Sequence, residues 1–419
     1  MTSNSAPIII IGAGLVGLSL AQALKKEGFN FKIYDRDQSL DERPAGWGIT
    51  LHWALPALQS CLPPEVFDRL LSIQVDPVNG GKKRISTEND WYRFLDLETG
   101  GDKHLFPSAT HYRLNRKQFR KLLSTGLDIS WGKRFTRFKT TDDGVVVRFD
   151  DGSTVEGSML LAVDGSGSRT KRLLLGEAEA KLNPLPVAFI GITLRLTPEK
   201  MKPFRDIHPL IWQGTHPSTG YYIFFSTLST PESNGSAGTG NEYYEGQFNM
   251  SWLVEKNGQL PKSRAEQLAK VKGAALSGTG FFPSLRQAVL DIPEDSPMLQ
   301  IRLEDWPTRD WPSGRKATLV GDAAHTMTMY RGEAANHGIC DAVKLRDQLV
   351  LWRDDKQSLE QAFEDYQAEV KRRTHDAVIM SRHACLECHE LDTLRADSPI
   401  FQVTGFNALA NPEMARAYL

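Results

Sequence analysis

IIIIGAGLVGLSLAQALKKEGFNFKIYD, residues 8 to 35, is the stretch whose reading decides the fold. Ile8 to Ile11 form an apolar run without alternation, the pattern of a short strand covered on both faces of a parallel sheet. Gly12, Gly14 and Gly17 follow in G-x-G-x-x-G spacing, and LSLAQALKKEG continues as an amphipathic helix ending near Gly28. The next apolar run, FKIY, ends at Asp35, 21 residues after the middle glycine. Strand, glycine turn, helix, second strand and acid together make a dinucleotide fingerprint. The glycines permit a tight turn and close approach of a pyrophosphate to a helix N-terminus, and the acid accepts from a ribose hydroxyl. The motif leaves NAD(P) and FAD equally open. Arg36 reads either as a contact to a 2′-phosphate or as an exposed arginine after a strand.

The rest of the composition narrows the class. A chain of 419 residues exceeds the usual single core, so two domains are expected. Its formal net charge of −1 gives no reason to expect nucleic acid or an anionic membrane as a partner. No apolar stretch reaches the roughly 18 residues that span a bilayer. The start, MTSNSAPIIIIGAG, lacks the basic region of a signal peptide. Four cysteines suggest no disulfide framework, so a reducing, cytoplasmic setting is expected. Cys385, Cys388 and His389 have C-x-x-C-H spacing, and His383 precedes them, yet no second ligand pair accompanies them. The segment continues a helical pattern, and no metal is expected there.

Residues 131 to 163 alternate like a β-meander, with TDDG and DDGS as hairpin turns, and run into MLLAV before Asp164-Gly165. From about 187 to 254 come VAFIGITLRL, PLIWQ, YYIFFSTL and QFNMSWLV, strand-like runs without βαβ rhythm that suggest a separate antiparallel sheet. STPESNGSAGTGNE, residues 229 to 242, reads by composition as a flexible surface insertion. Late in the chain, KATLV ends at Gly321-Asp322 and GDAAHTMTMYRGEAAN leads into a helix. Asp322 is thus expected at a strand's carboxyl end, where ligands bind in such sheets, with a helix N-terminus facing the same place.

Three blocks in order, GAGLVGLSLA, DGSGS and GDAAHTMTMYRGEAAN, resemble the group A FAD-dependent monooxygenases of the para-hydroxybenzoate hydroxylase fold, most of all fungal natural-product enzymes. The resemblance covers nearly the whole chain. It implies an α/β fold with a Rossmann-like FAD-binding domain and β-meander (1–72, 104–176 and 284–353), an antiparallel-sheet substrate domain (73–103 and 177–283) and a C-terminal helical segment (354–419). It also assigns roles. Asp35 would meet the adenosine ribose and Asp322 a ribityl hydroxyl, while Arg116 would contact FAD near the pyrophosphate. Gly48 would lie close to the cofactor, with Asp164 in its binding set. Gly332, Ala335 and Asn336 belong to the loop expected along the flavin ring. Met329, Ala334 and Lys171 depart from the family pattern, standing where proline, glycine and arginine are usual.

The activity so implied uses NADPH or NADH as a transient donor and O2 as oxidant, and transfers one oxygen through a flavin hydroperoxide to an aromatic, indolic or alkene-bearing small molecule. No second G-x-G-x-x-G unit gives NAD(P)H its own domain. A flavin oxidoreductase without oxygen transfer, and a flavin-free binding protein of the same fold, are the alternatives. In VAFIGITLRLT, alternation puts Ile190, Ile192, Leu194 and Leu196 on one face and Phe189, Thr193 and Arg195 on the other. Arg195 reads either as a solvated arginine at a sheet edge or, with Tyr222, as a catalytic residue donating to a substrate oxygen.

Overall fold

The structure, a computed structural model, describes residues 6–42, 46–78, 91–107 and 112–402. The last residues of the C-terminal segment and part of the 73–103 block lie outside them. Ile8–Ile11 forms β1, and all four side chains are buried. They are buried because parallel neighbours flank them: β2 (Phe31–Tyr34) on one side and β11 (Met159–Ala162) on the other. β7 (Ile129–Ser130) and β19 (Ala317–Leu319) complete the sheet, whose order is β19-β11-β1-β2-β7. Helix α1 (Leu15–Lys26) returns the chain from β1 to β2. Leu18, Ala21 and Leu24 of α1 share a core with Leu161 of β11, Leu319 of β19 and Phe149 of the meander. That meander is β8 (Phe135–Thr140), β9 (Val145–Phe149) and β10 (Thr154–Gly157), paired antiparallel in the order β10-β9-β8.

A second, seven-stranded sheet runs β17-β13-β16-β15-β14-β4-β5. Its strands are β4 (Trp91–Asp96), β5 (Asp102–Pro107), β13 (Val187–Leu196), β14 (Ile211–Thr215), β15 (Tyr222–Ser229), β16 (Tyr244–Leu253) and β17 (Met298–Gln300). All pairs are antiparallel except β14 with β4. One face buries Ile190, Ile192, Leu194, Phe225, Phe248 and Trp252 against its own helices. β17 and the helix Pro283–Leu290 join this layer, although the family resemblance implied a return to the first layer at 284. Register explains it: Met298 and Gln300 pair with Ile192 and Ile190 of β13. A two-stranded pair, β12 (Asn183–Pro184) with β18 (Glu304–Asp305), lies at the joins between the layers in sequence.

The opposite face of this sheet meets the first layer. There stands a ribbon of β3 (Gly48–Leu51) and β6 (Tyr112–Asn115). Helices α2 (Arg116–Leu123), α3 (Arg169–Leu175), α4 (Ala334–Arg353) and α5 (Leu359–Glu387) complete the parts that shape the site. α5 joins both layers, with Phe363, Tyr366 and Val370 in the first core and Ala384 and Cys385 in the seam.

The insertion at 229–242 is better held than its composition suggested. Thr230 and Ser233 form a reciprocal capping box, and Asn234 Nδ2 donates to Tyr243 O at 2.9 Å. Small polar side chains bond their own backbone here, which composition alone cannot reveal.

Candidate functional site

Four carboxyl ends of adjacent parallel strands carry the residues singled out in the sequence. Along the sheet edge stand Asp322 after β19, Asp164 after β11, the glycine turn after β1 and Asp35 after β2. Gly12 has φ +112°, and a Cβ there would lie 2.2 Å from Val163 O. A Cβ at Gly17 would lie 2.0 Å from Gly12 O, so helix and turn touch backbone to backbone. Gly14 caps α1 with no side-chain hydrogen bond, no acid in the first turn, and open space where a Cβ would stand. The first N–H groups of α1 thus face a gap suited to a pyrophosphate.

Asp35 is buried and braces this turn. Its Oδ2 accepts from Ala13 N at 2.5 Å and its Oδ1 from Asp37 N at 2.9 Å. A carboxylate has further lone pairs for a ribose hydroxyl. Arg36 is exposed. Arg120, which the sequence reading passed over, is buried and donates to Ala13 O at 2.8 Å and to Asp37 Oδ2 at 2.9 Å. The available signal was its place four residues after Arg116 in an amphipathic helix.

Asp164 Oδ2 accepts from the Arg169 and Thr170 amides at 2.9 and 3.2 Å, capping α3, while its buried Oδ1 has no hydrogen-bond partner. Lys171 is fully buried, its Nζ equally without a hydrogen-bond partner and 4.4 Å from the centre of the Trp306 ring. Burial pushes its amine down to about 8, against the pull of Asp164 and Asp322. The Asp322 side chain opens into the cleft but is enclosed by protein around it. That enclosure raises its pKa, while His325 and Arg116 oppose the rise. An uncapped helix start and a glycine turn, with the unsatisfied Asp164 Oδ1 on the next strand end, fit an extended, phosphate-bearing dinucleotide.

The turn at Gly321 is held from behind. Asp341 Oδ2 accepts from Gly321 N at 2.8 Å and contacts His325 Nε2 at 2.6 Å, and its Oδ1 accepts from Arg373 at 2.6 Å. Although burial works the other way, His325 and Arg373 keep the Asp341 carboxyl well below the usual range. Asn336, in the first turn of α4, uses its amide on the edge of β3: Oδ1 accepts from His52 N at 3.2 Å and Nδ2 donates to Thr50 O at 3.0 Å. Gly332 has φ +65° and is exposed, and Ala335 is half-buried beside it. Asn336 thus fixes the loop to β3, while Gly332 is exposed and Ala335 packs in part against the first core.

Between that loop and the seven-stranded sheet lies a seam of polar floor and aromatic wall. Gly48 N donates to Gln247 Oε1 at 3.2 Å, and the Trp47 and Phe189 rings meet edge-on at 6.2 Å. Tyr222 and Tyr330 lie 5.2 Å apart, and Tyr222 donates to Gln213 Oε1 at 2.5 Å. Tyr330 donates to Ser251 Oγ at 2.8 Å, which in turn contacts His389 Nε2 at 2.9 Å. Burial drives His389 down to about 4, so the ring is neutral at neutral pH. His389, Cys385 and Cys388 are all buried in the seam. Among the described residues no group of three or more His, Cys, Asp or Glu is arranged to hold a metal ion.

The cavity reading of Arg195 needs correction. Arg195 shares a face with Phe189 but stands six residues further along β13, roughly 20 Å away at the usual rise. It is exposed, opposite Glu245, with its guanidinium carbon 3.8 Å from the centre of the Tyr243 ring. Alternation gave the face correctly and could not give the distance. Tyr222, by contrast, is in the seam.

Residues 10–48 match the NAD(P)-binding Rossmann-like domain family. The chain is 47% identical over 358 residues to the FAD-dependent monooxygenase dbaB of Emericella nidulans, covering 84% of this chain and 88% of that one. The chain belongs to the FAD-dependent monooxygenases. A protein of Arthroderma benhamiae named "Probable FAD-dependent monooxygenase" is 36% identical to the enzyme, covering 96% of each chain. The fold is also that of Klebsiella pneumoniae HpxO, solved with FAD and uric acid (TM-score 0.70, 19% identity, 98% and 93% of the chains covered). It matches 2,6-dihydroxypyridine-3-hydroxylase from Arthrobacter nicotinovorans as well (TM-score 0.71, 16% identity, 95% and 96% covered). The enzyme is an oxidoreductase whose cofactor is FAD and whose oxidant is O2. No helix among its described residues is long and apolar enough to cross a membrane.

Proposed function

We propose that the enzyme takes electrons from NADPH or NADH and inserts one atom of O2, by hydroxylation or epoxidation, into an aromatic, indolic or alkene-bearing natural product. The observation that carries the proposal is the seam: a polar floor walled by Trp47, Phe189, Tyr222 and Tyr330, next to the loop Gly332–Asn336 and the cofactor cleft. The chemistry supplied by bound FAD is hydride acceptance from the nicotinamide and activation of O2. The chain's own residues do the rest.

Asp35, Gly14 and Asp322 would hold successive parts of the dinucleotide along the strand ends, with Asp164 and Arg116 around them. The α4 N-terminus, anchored by Asn336 and without a side-chain cap, would present its first N–H groups to an electron-rich part of the cofactor. The aromatic walls exclude water, which would otherwise divert reducing equivalents into hydrogen peroxide. Tyr222 and Tyr330 orient a flat ring by packing, while Ser251 and the neutral His389 hold the Tyr330 hydroxyl. Uric acid and a dihydroxypyridine, named for two proteins of the same fold, are flat rings of the kind that aromatic side chains pack.

Turnover under labelled oxygen gas tests the proposal. NADPH consumption is expected to rise with substrate, and the added oxygen atom is expected to carry the gas label. Product labelled from water would leave a flavin oxidoreductase that transfers no oxygen.

A further inference from the structure

The aromatic wall of the seam does not end with the seven-stranded sheet. Phe94 of β4 lies 6.2 Å from Tyr222, and Phe401 meets Phe94 edge-on at 5.2 Å and Phe106 of β5 at 5.8 Å. The Phe401 ring also stacks on His104 at 4.2 Å, with 13° between the planes. Ile400 and Phe401 are buried in the same apolar cluster as Tyr222, Tyr330, Cys385 and Cys388. Phe94, Phe106 and Tyr222 stand on paired strands of the sheet, whereas residues 398–401 belong to no strand or helix.

This short strap closes on itself. Ser398 N donates to Arg395 O at 3.0 Å, and Phe401 N donates to Ser398 O at 2.8 Å. Outward, Ile400 N donates to Glu387 Oε1 at 2.7 Å at the end of α5, and Arg331 Nη1 donates to Pro399 O at 2.7 Å. The other two nitrogens of Arg331, Nε and Nη2, grip Glu333 at 3.1 and 3.2 Å, directly before α4. Both members of that pair are buried. One guanidinium thus spans the strap and the loop beside the cofactor cleft.

Phe189, Tyr222 and Tyr330 are all buried with the strap in place, so a substrate needs a wall that moves. A residue on β4, β5 or β15 leaves only by breaking ladder bonds. The strap can swing with its internal bonds intact, giving up the Glu387 and Arg331 bonds and the burial of two apolar side chains. Irregular chain with few outward ties sits at the low end of local opening free energies, and paired core strands at the high end. We propose that residues 398–401 are the gate of the seam, lifting to admit substrate and, when closed, steadying the loop beside the cofactor through Arg331. This rests on reading the seam as the substrate site of a FAD-dependent monooxygenase. Phe401 is then a positioning residue that keeps water out during turnover.

The test uses the purified, FAD-loaded full chain with a maleimide as probe, because the buried thiols report on both layers. Cys385 and Cys388 lie in the cluster of the strap, while Cys61 and Cys340 lie in the first core. In native buffer the seam pair is expected to label at least about tenfold faster than the core pair. Hydrogen exchange in the peptide holding Ile400 and Phe401 is expected to outrun that of the last turns of α5. Phe401→Ala should speed labelling of the seam pair alone, with FAD content unchanged, and Phe401→Tyr, which keeps the ring, should stay near wild type. The proposal is overturned if all four thiols label together, if the strap exchanges as slowly as α5, or if Phe401→Ala labels the seam pair no faster. The wild-type measurements decide even where a variant does not fold. A protein that cannot hold FAD overturns the parent reading, whereas a yellow enzyme with a slow strap overturns only the gate.

Discussion

Asp322 and Lys171 show how single residues near the cofactor cleft are tuned by enclosure. Asp322 would accept from a ribityl hydroxyl, and a hydrogen bond to a charged acceptor contributes about 1.5–3 kcal/mol. Asp322→Ala should therefore weaken FAD retention by tenfold or more on that scale, measured by equilibrium dialysis of the folded variant. Unchanged retention would count against the assignment. Lys171 gives a pH signature. Its amine titrates at about 8 in the folded chain, against an ordinary lysine value of 10.5 when unfolded. Between these values the unfolded chain binds more protons, so stability rises with pH through that window, and the cost of the buried charge is fully present below it. In FAD-free protein, the difference in denaturation midpoint between wild type and Lys171→Met should shift in favour of wild type from pH 8 to 10. A difference that stays flat across that range would contradict the burial account.

At the scale of elements, α1 and α4 cross with backbone-close contact. A Cβ at Gly338 of α4 would lie 2.3 Å from Val16 Cγ2 of α1. Valine in a helix has essentially one rotamer, so it cannot swing aside. Gly338→Ala should lower stability by about 1–3 kcal/mol of overpacking, less the ~1 kcal/mol that alanine gains in helix propensity. Urea unfolding reads this directly, and a more stable variant would show that the crossing has slack. The same crossing sets the position of the α4 N-terminus, and hence of the loop held by Asn336 against β3.

At the scale of the whole molecule, the site exists only where two layers meet. Trp47 comes from the first and Phe189 from the seven-stranded sheet, and their edge-on contact closes the seam. Trp47→Ala opens it to water without touching the strand ends. Substrate turnover should then yield more hydrogen peroxide per NADPH consumed, with FAD content unchanged, as a peroxidase-coupled assay would record. Full conversion of NADPH into product would show that closure lies elsewhere.

The sequence by itself determined what is local. Strand, glycine turn, helix and acid within residues 8–35 follow from hydrophobic period and from glycine's freedom at positive φ, and Gly12 at +112° requires it. Asp164 and Asp322 were legible because each directly follows an apolar run, and strand ends in a parallel sheet are where ligands bind. Which face of β13 is apolar was legible too, since alternation has period two. What tertiary structure decided is everything that depends on distance across the chain. Arg195 shares the right face yet lies at its far, exposed end. Arg120 looks like an ordinary arginine in a helix until Ala13 and Asp37 are brought to it. Tyr330, Ser251 and His389 are separated by long stretches of sequence and meet only in the seam. Local pattern fixes which way a side chain turns, but burial and partnership are set by what packs over it, and no periodicity carries that information.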